Sequence, residues 1–136
     1  MRKKSAPSVA DMRRHIEALV APLDEVQVMW GCRLARSLAV RDVTVDGSIG
    51  PVIEFNLPHI RSPISYATAL HEIGHHYGRH QRSRNQMVRE RWAWEWARHN
   101  ALCWTPAMER DAIKSLAWYA ARNSARQGAA VIPLRG

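Results

Sequence analysis

The sequence has little with which to cross-link itself, span a membrane or attract cations. Only 2 cysteines occur in 136 residues, Cys32 and Cys103, far apart and in no C-x-x-C pair. That excludes a disulfide framework, and both read as buried free thiols. No apolar run approaches the ~20 residues of a membrane span. The start, Met1 to Pro7, is basic without an apolar stretch behind it, so it is no secretory signal. The expectation is a cytoplasmic protein with no membrane partner.

Acidic residues are also few, 12 against 20 Lys and Arg, which leaves a formal charge of +8. Such an excess attracts nucleic acid, an acidic protein or an anionic surface and says nothing about the fold. Part of it clusters at Arg79, Arg82, Arg84, Arg89 and Arg91. A solvated basic loop is the plain reading of Arg79–Arg91; a docking surface for an acidic partner or nucleic acid is the other. Helix-turn-helix and zinc-finger spacings are both missing.

What is present fits a single domain with one core. Residues 1–7 read as a flexible basic arm, 8–126 as the domain and 127–136 as a loose tail. Ser8 caps a helix with Val9, Met12, Ile16, Leu19 and Val20 at spacings of three and four, interrupted at Pro22. A second helix is expected from about Asp24, with Val26, Trp30, Leu34 and Leu38 on one stripe. Val43–Val45, the turn residues 46–50 and Val52–Leu57 read as a β-hairpin. Ser62-Pro63 starts a helix expected to run to Tyr77, with Gly78 as its stop. Another helix is expected from Met87 to Trp104. Thr105-Pro106 then begins a last one that turns Met108, Ile113, Leu116 and Ala120 inward. The fold class is thus α+β: a mostly helical, minimal domain with a small antiparallel sheet or hairpin beside the third helix.

That helix carries His71-Glu72-Ile73-Gly74-His75, an H-E-x-x-H motif. Residues four apart stack on one helical face, so both imidazoles can point at one ion. Glu72, about 100° around the helix, can reach a water on that ion without ligating it. Zn2+ keeps an open position at such a site, and Glu72 would take the water's proton and pass it to a leaving amine. Gly74 weakens a helix by up to ~1 kcal/mol relative to alanine, which suggests that a backbone or substrate passes close by.

A third ligand is required, and Glu90, Glu95 and Glu109 are available. Glu95 is chosen because it lies among Trp92, Trp94, Trp96 and Ala97, where an unpaired carboxylate is costly. A salt bridge to Arg91, Arg98 or His99 is the alternative. Glu90, between arginines, reads as a solvated ion pair. His76, His80, Tyr77 and His99 are candidates to stabilise an oxyanion, while His15 and His59 read as ordinary surface or capping residues. Trp92 and Trp96 share one helical face and Trp94 another, with core packing the plain reading of the six tryptophans.

Three stretches resemble the ImmA/IrrE-type metallopeptidases of phages, mobile elements and bacterial stress regulators, which are gluzincin-like in pattern. Val52–Asn56 is similar to the family's strand ending in asparagine, Arg61–His75 to its arginine-led helix into H-E-x-G-H, and Glu95–Pro106 to its third-ligand helix. The resemblance covers roughly residues 40–108. Ala97, His99, Cys103 and Trp104 depart from the residues usual there. It implies zinc on His71, His75 and Glu95, Glu72 as catalytic base, and a cleft bordered by the strand at Asn56, where a peptide could pair. The implied function is cleavage of a specific regulatory protein. The competing reading is a basic, zinc-stapled binding module acting on nucleic acid or a protein partner without catalysis.

Overall fold

The computed structural model describes residues 6–23, 26–31, 36–45 and 48–131, with side chains given for 6–23, 26–31 and 54–124. Cys32 and the first five residues lie outside these ranges. Four helices and three strands follow one another: α1 (Val9–Val20), β1 (Val26–Trp30), β2 (Arg36–Val45), β3 (Ser48–Leu57), α2 (Pro63–Tyr77), α3 (Gln86–Asn100) and α4 (Pro106–Val131).

The helix starts follow local chemistry. Ser8 and Asp11 cap α1 reciprocally, side chain to backbone in both directions, and Ser62 and Ser65 do the same for α2 with Pro63 just inside. Thr105 Oγ1 accepts from Met108 N at 3.2 Å at the head of α4. Helix α3 stops at Asn100, four residues short of the expected Trp104. Helix α4 runs on to Val131, through residues expected to be a loose tail.

The sheet departs from expectation. Strand β3 is central, in the order β1-β3-β2. Strand β2 pairs with it antiparallel, but β1 pairs parallel, with Val26 opposite Ile53 and Trp30 opposite Leu57. So the small sheet is not purely antiparallel, and the pair whose side chains are described is parallel. The β1 segment is also where a second helix was expected. Positions 26 and 30 satisfy both a helical and a strand period. Val28 is the deciding residue: Val26, Val28 and Trp30 are half-buried while Gln27 and Met29 face outward, a period of two carried by β-branched residues.

Helix α2 runs through the middle of the protein. Tyr66, Ala67, Leu70 and Ile73 are fully buried, and meet Met12 and Ile16 of α1, Phe55 and Leu57 of β3, Trp94 and Ala97 of α3, and Met108 and Ala112 of α4. Ile113, expected inward, is instead 58% exposed, and Ala112 takes its place. Among the described residues no helix is long and apolar enough to cross a membrane.

Candidate metal centre

The buried centre contains three polar side chains, His71, Glu72 and Glu90, each 5–6% exposed. His71 and His75 lie one turn apart on α2, their rings edge-on with centroids 4.7 Å apart. Glu90, in the second turn of α3, puts its carboxylate against both. His71 Nε2 lies 2.6 Å from Oε2, and His75 Nε2 lies 3.2 Å from Oε1. One donor atom each from His71, His75 and Glu90 fall within 4.8 Å of one another, so this group could hold a metal ion.

The third member differs from expectation. Glu95 stands outside the cluster, its Oε2 accepting from Arg98 Nη1 at 2.7 Å and its Oε1 2.8 Å from His99 Nε2. This is the salt-bridge alternative, and it answers the cost of a carboxylate among tryptophans without an ion. Glu90, expected to be solvated, is the buried one. Residues Glu90, Ala93, Trp94 and Ala97 are the buried set of α3, spaced by three, one and three, and define the helix face against α2. Glu95 lies roughly 140° from Glu90 around a 100°-per-residue helix and cannot share that face. The signal in the sequence was the small-residue stripe of Ala93 and Ala97, which marks where a second helix comes close. Glu109 is engaged too, held by Arg98 through Nε at 2.8 Å.

Gly74 explains how α3 comes within reach. A Cβ placed on it would stand 2.5 Å from the Ala93 carbonyl oxygen, so a neighbouring backbone does pass close by. The His71 ring is stacked on the Trp94 indole at 4.2 Å, with 9° between planes. Burial opposes the His71 imidazolium, yet the Glu72 and Glu90 carboxylates outweigh it and raise the pKa to about 9. Burial likewise opposes the Glu90 carboxylate, and the two histidines outweigh it, bringing its pKa down to about 2. Both directions describe an ion pair between the imidazoles and the carboxylates.

Glu72 has Oε1 3.4 Å from His71 Nδ1, while its buried Oε2 has no hydrogen-bond partner among the described residues. A buried, unpartnered carboxylate oxygen is costly, and its place beside a His/His/Glu set fits a bound cation and its water. A residue missed in the sequence also belongs here. The Tyr119 hydroxyl of α4 has its pKa raised by burial, by the charges of Glu90 and Glu72 and by hydrogen bonding to Glu90. No motif marks it; only the return of α4 past the site does.

The other candidates lie apart. His76 meets Phe55 edge-on at 6.1 Å, and Tyr77 donates its hydroxyl to Leu19 O at 2.8 Å. Asn56 is half-buried on β3 opposite Met29. Tyr77, Trp92, Trp96, Glu95 and His99 instead line a separate cavity of about 400 Å³. Trp94, the tryptophan on the other face, is the buried one. His15 is not an ordinary surface residue, since its Nδ1 lies 2.5 Å from Tyr66 Oη. Arg79, Arg82, Arg84 and Arg91 are exposed, and Cys103 is a half-buried free thiol. Comparison of the chain with protein-family models, with curated proteins and with solved structures found no match.

Proposed function

We propose that the chain is a small zinc-dependent peptidase in which His71, His75 and Glu90 hold the metal and Glu72 is the general base. The observation that carries this is the buried convergence of both H-E-x-x-H imidazoles on Glu90, with an unpartnered Glu72 oxygen alongside. Two imidazoles and a carboxylate are a donor set suited to catalytic Zn2+. Zinc, when bound, supplies Lewis acidity, polarising a carbonyl and making water acidic near neutral pH.

The chain's own groups do the rest. Glu72 Oε2 takes the proton of the attacking water and returns it to the departing amine. Trp94 stacks on the His71 ring and holds its plane, and the charges of Glu90 and Glu72 reach the Tyr119 hydroxyl. The likeness of residues 61–75 to the ImmA/IrrE-type helix supports a peptide bond in a regulatory protein as the substrate. With Glu90 in place of Glu95, the likeness of the third-ligand helix carries less of the argument.

Elemental analysis tests the ligand set. Wild type should hold about one zinc per chain, Glu90→Ala should lose it, and Glu95→Ala should keep it; the reverse pattern overturns the assignment. Glu72→Gln should keep zinc and lose hydrolysis of a peptide library. The exposed arginines between Arg79 and Arg91 favour a second reading, a zinc-stapled module that binds nucleic acid. Salt-sensitive binding that survives Glu72→Gln, in a protein with no turnover, would select it.

A further inference from the structure

We infer that Gln81 is a positioning residue of this centre: it fixes the His75 ring with its proton on Nδ1, leaving the Nε2 lone pair toward Glu90. The inference rests on the metal reading above and follows from one hydrogen-bond network. Gln81 Nε2 lies 2.9 Å from the Arg89 carbonyl oxygen and 3.2 Å from that of Arg79. Carbonyl oxygens only accept, so this end of the amide must be the NH2 group. The reversed amide would press three oxygens together with no proton between them.

The other end is therefore the oxygen, and it lies 2.9 Å from His75 Nδ1. An amide oxygen cannot donate, so Nδ1 carries the proton. In the neutral ring the lone pair then falls on Nε2, 3.2 Å from Glu90 Oε1. A ligating histidine is oriented in this way by whatever its second nitrogen bonds, and that bond selects the tautomer.

The backbone is arranged to hold Gln81 there. His80, the residue before it, has φ 60°, the only positive value outside glycine among the described residues. That region is disfavoured for residues with a Cβ. Ser83 N closes the turn onto His80 O at 3.1 Å. Gln81 thus links His75 on α2 to the backbone of α3, one residue before Glu90.

A plain structural tie would use the same two bonds to backbone, so the test separates the amide's two ends. Gln81→Leu removes the oxygen and the NH2 group. Gln81→Glu loses the NH2 donors but keeps an oxygen facing His75. Positioning predicts that Gln81→Leu weakens zinc binding by roughly 10–100-fold, while Gln81→Glu binds zinc more tightly than Gln81→Leu even though it melts lower, because its second oxygen meets the Arg79 and Arg89 carbonyls. Equal losses in both variants, or no loss in Gln81→Leu, overturn it. Long-range 1H–15N spectra of metal-free wild type should show His75 protonated at Nδ1, a proton shielded from exchange and exposed to it in Gln81→Leu. A wild-type ring protonated at Nε2 alone overturns the inference without any variant. Wild type that takes up no zinc, yet shows the Nδ1 proton, refutes the metal reading instead.

Discussion

The carbonyl oxygen of Ala93 occupies the space beside Gly74 that any larger residue would need, 2.5 Å from where a Cβ would be. This single approach lets Glu90, one turn earlier on α3, reach both histidines of α2. Gly74→Ala gains up to ~1 kcal/mol of helix propensity but meets a backbone atom that cannot swing aside. Overpacking of this kind costs about 1–3 kcal/mol, so the variant should melt lower than wild type. It should also bind zinc more weakly, because α3 must retreat and take Glu90 with it. Unchanged melting and affinity would mean that the helices are not held apart by this contact.

Much of the centre was legible because H-E-x-x-H states its geometry in its spacing, and because Ser62-Pro63 fixes where α2 begins. The carboxylate that meets both histidines, Glu90 and not Glu95, was hidden because neighbours along the chain are not neighbours around the helix. Arginines at 89 and 91 point away from the face that Glu90 shares with Ala93 and Ala97. The strand β1 differs from the expected helix for a related reason: Val26 and Trp30 fit two periods, and the half-burial of Val28 beside β3 decides between them. Tyr119 and Gln81 could not be found at all, since each joins the site through tertiary approach and neither belongs to a motif.

Tyr119 carries a second prediction. Its pKa is raised by burial first and then by the charges of Glu90 and Glu72. A phenol that feels their charge is a candidate to donate to Glu90 and orient it. Tyr119→Phe keeps the ring and removes only that donor. Zinc should remain at one per chain, with affinity reduced roughly 10-fold or more, as for other groups that orient a ligand. Competition against a chromophoric chelator measures this, and an unchanged constant would place the hydroxyl outside the network.

Metal-free protein should release protons when it takes up zinc. The His71 pKa stands at about 9, so at pH 7.5 its imidazole is protonated, and a ligating nitrogen must give that proton up. Calorimetry in buffers of different ionisation enthalpy should report the release, and the apparent affinity should climb as pH rises toward about 9. The same raised pKa stabilises the metal-free fold below the unfolded value of 6.5, and that contribution disappears as pH passes about 9. Glu72→Gln removes one of the carboxylates that support the imidazolium, so it should release fewer protons at pH 7.5. Buffer-independent binding enthalpies would contradict this account.

The other pH-dependent contact lies away from the metal centre, between α1 and α2. Tyr66 Oη accepts from Leu102 N at 2.9 Å and meets His15 Nδ1 at 2.5 Å. Burial lowers its pKa from 6.5, and burial raises that of Tyr66 to about 12. The folded state thus prefers the neutral imidazole. Above pH 6.5 the ring is neutral in both folded and unfolded chains and stability is unaffected. As pH falls below 6.5 the unfolded chain binds the proton first, and stability drops until the folded ring is protonated too. His15→Gln supplies a side chain that can still accept from Tyr66 but does not titrate. Melting curves between pH 7.5 and 5 should therefore show a smaller acid-induced decrease for His15→Gln than for wild type. Parallel decreases in the two proteins would assign the acid sensitivity to other groups and leave the Tyr66 bond without a part in it.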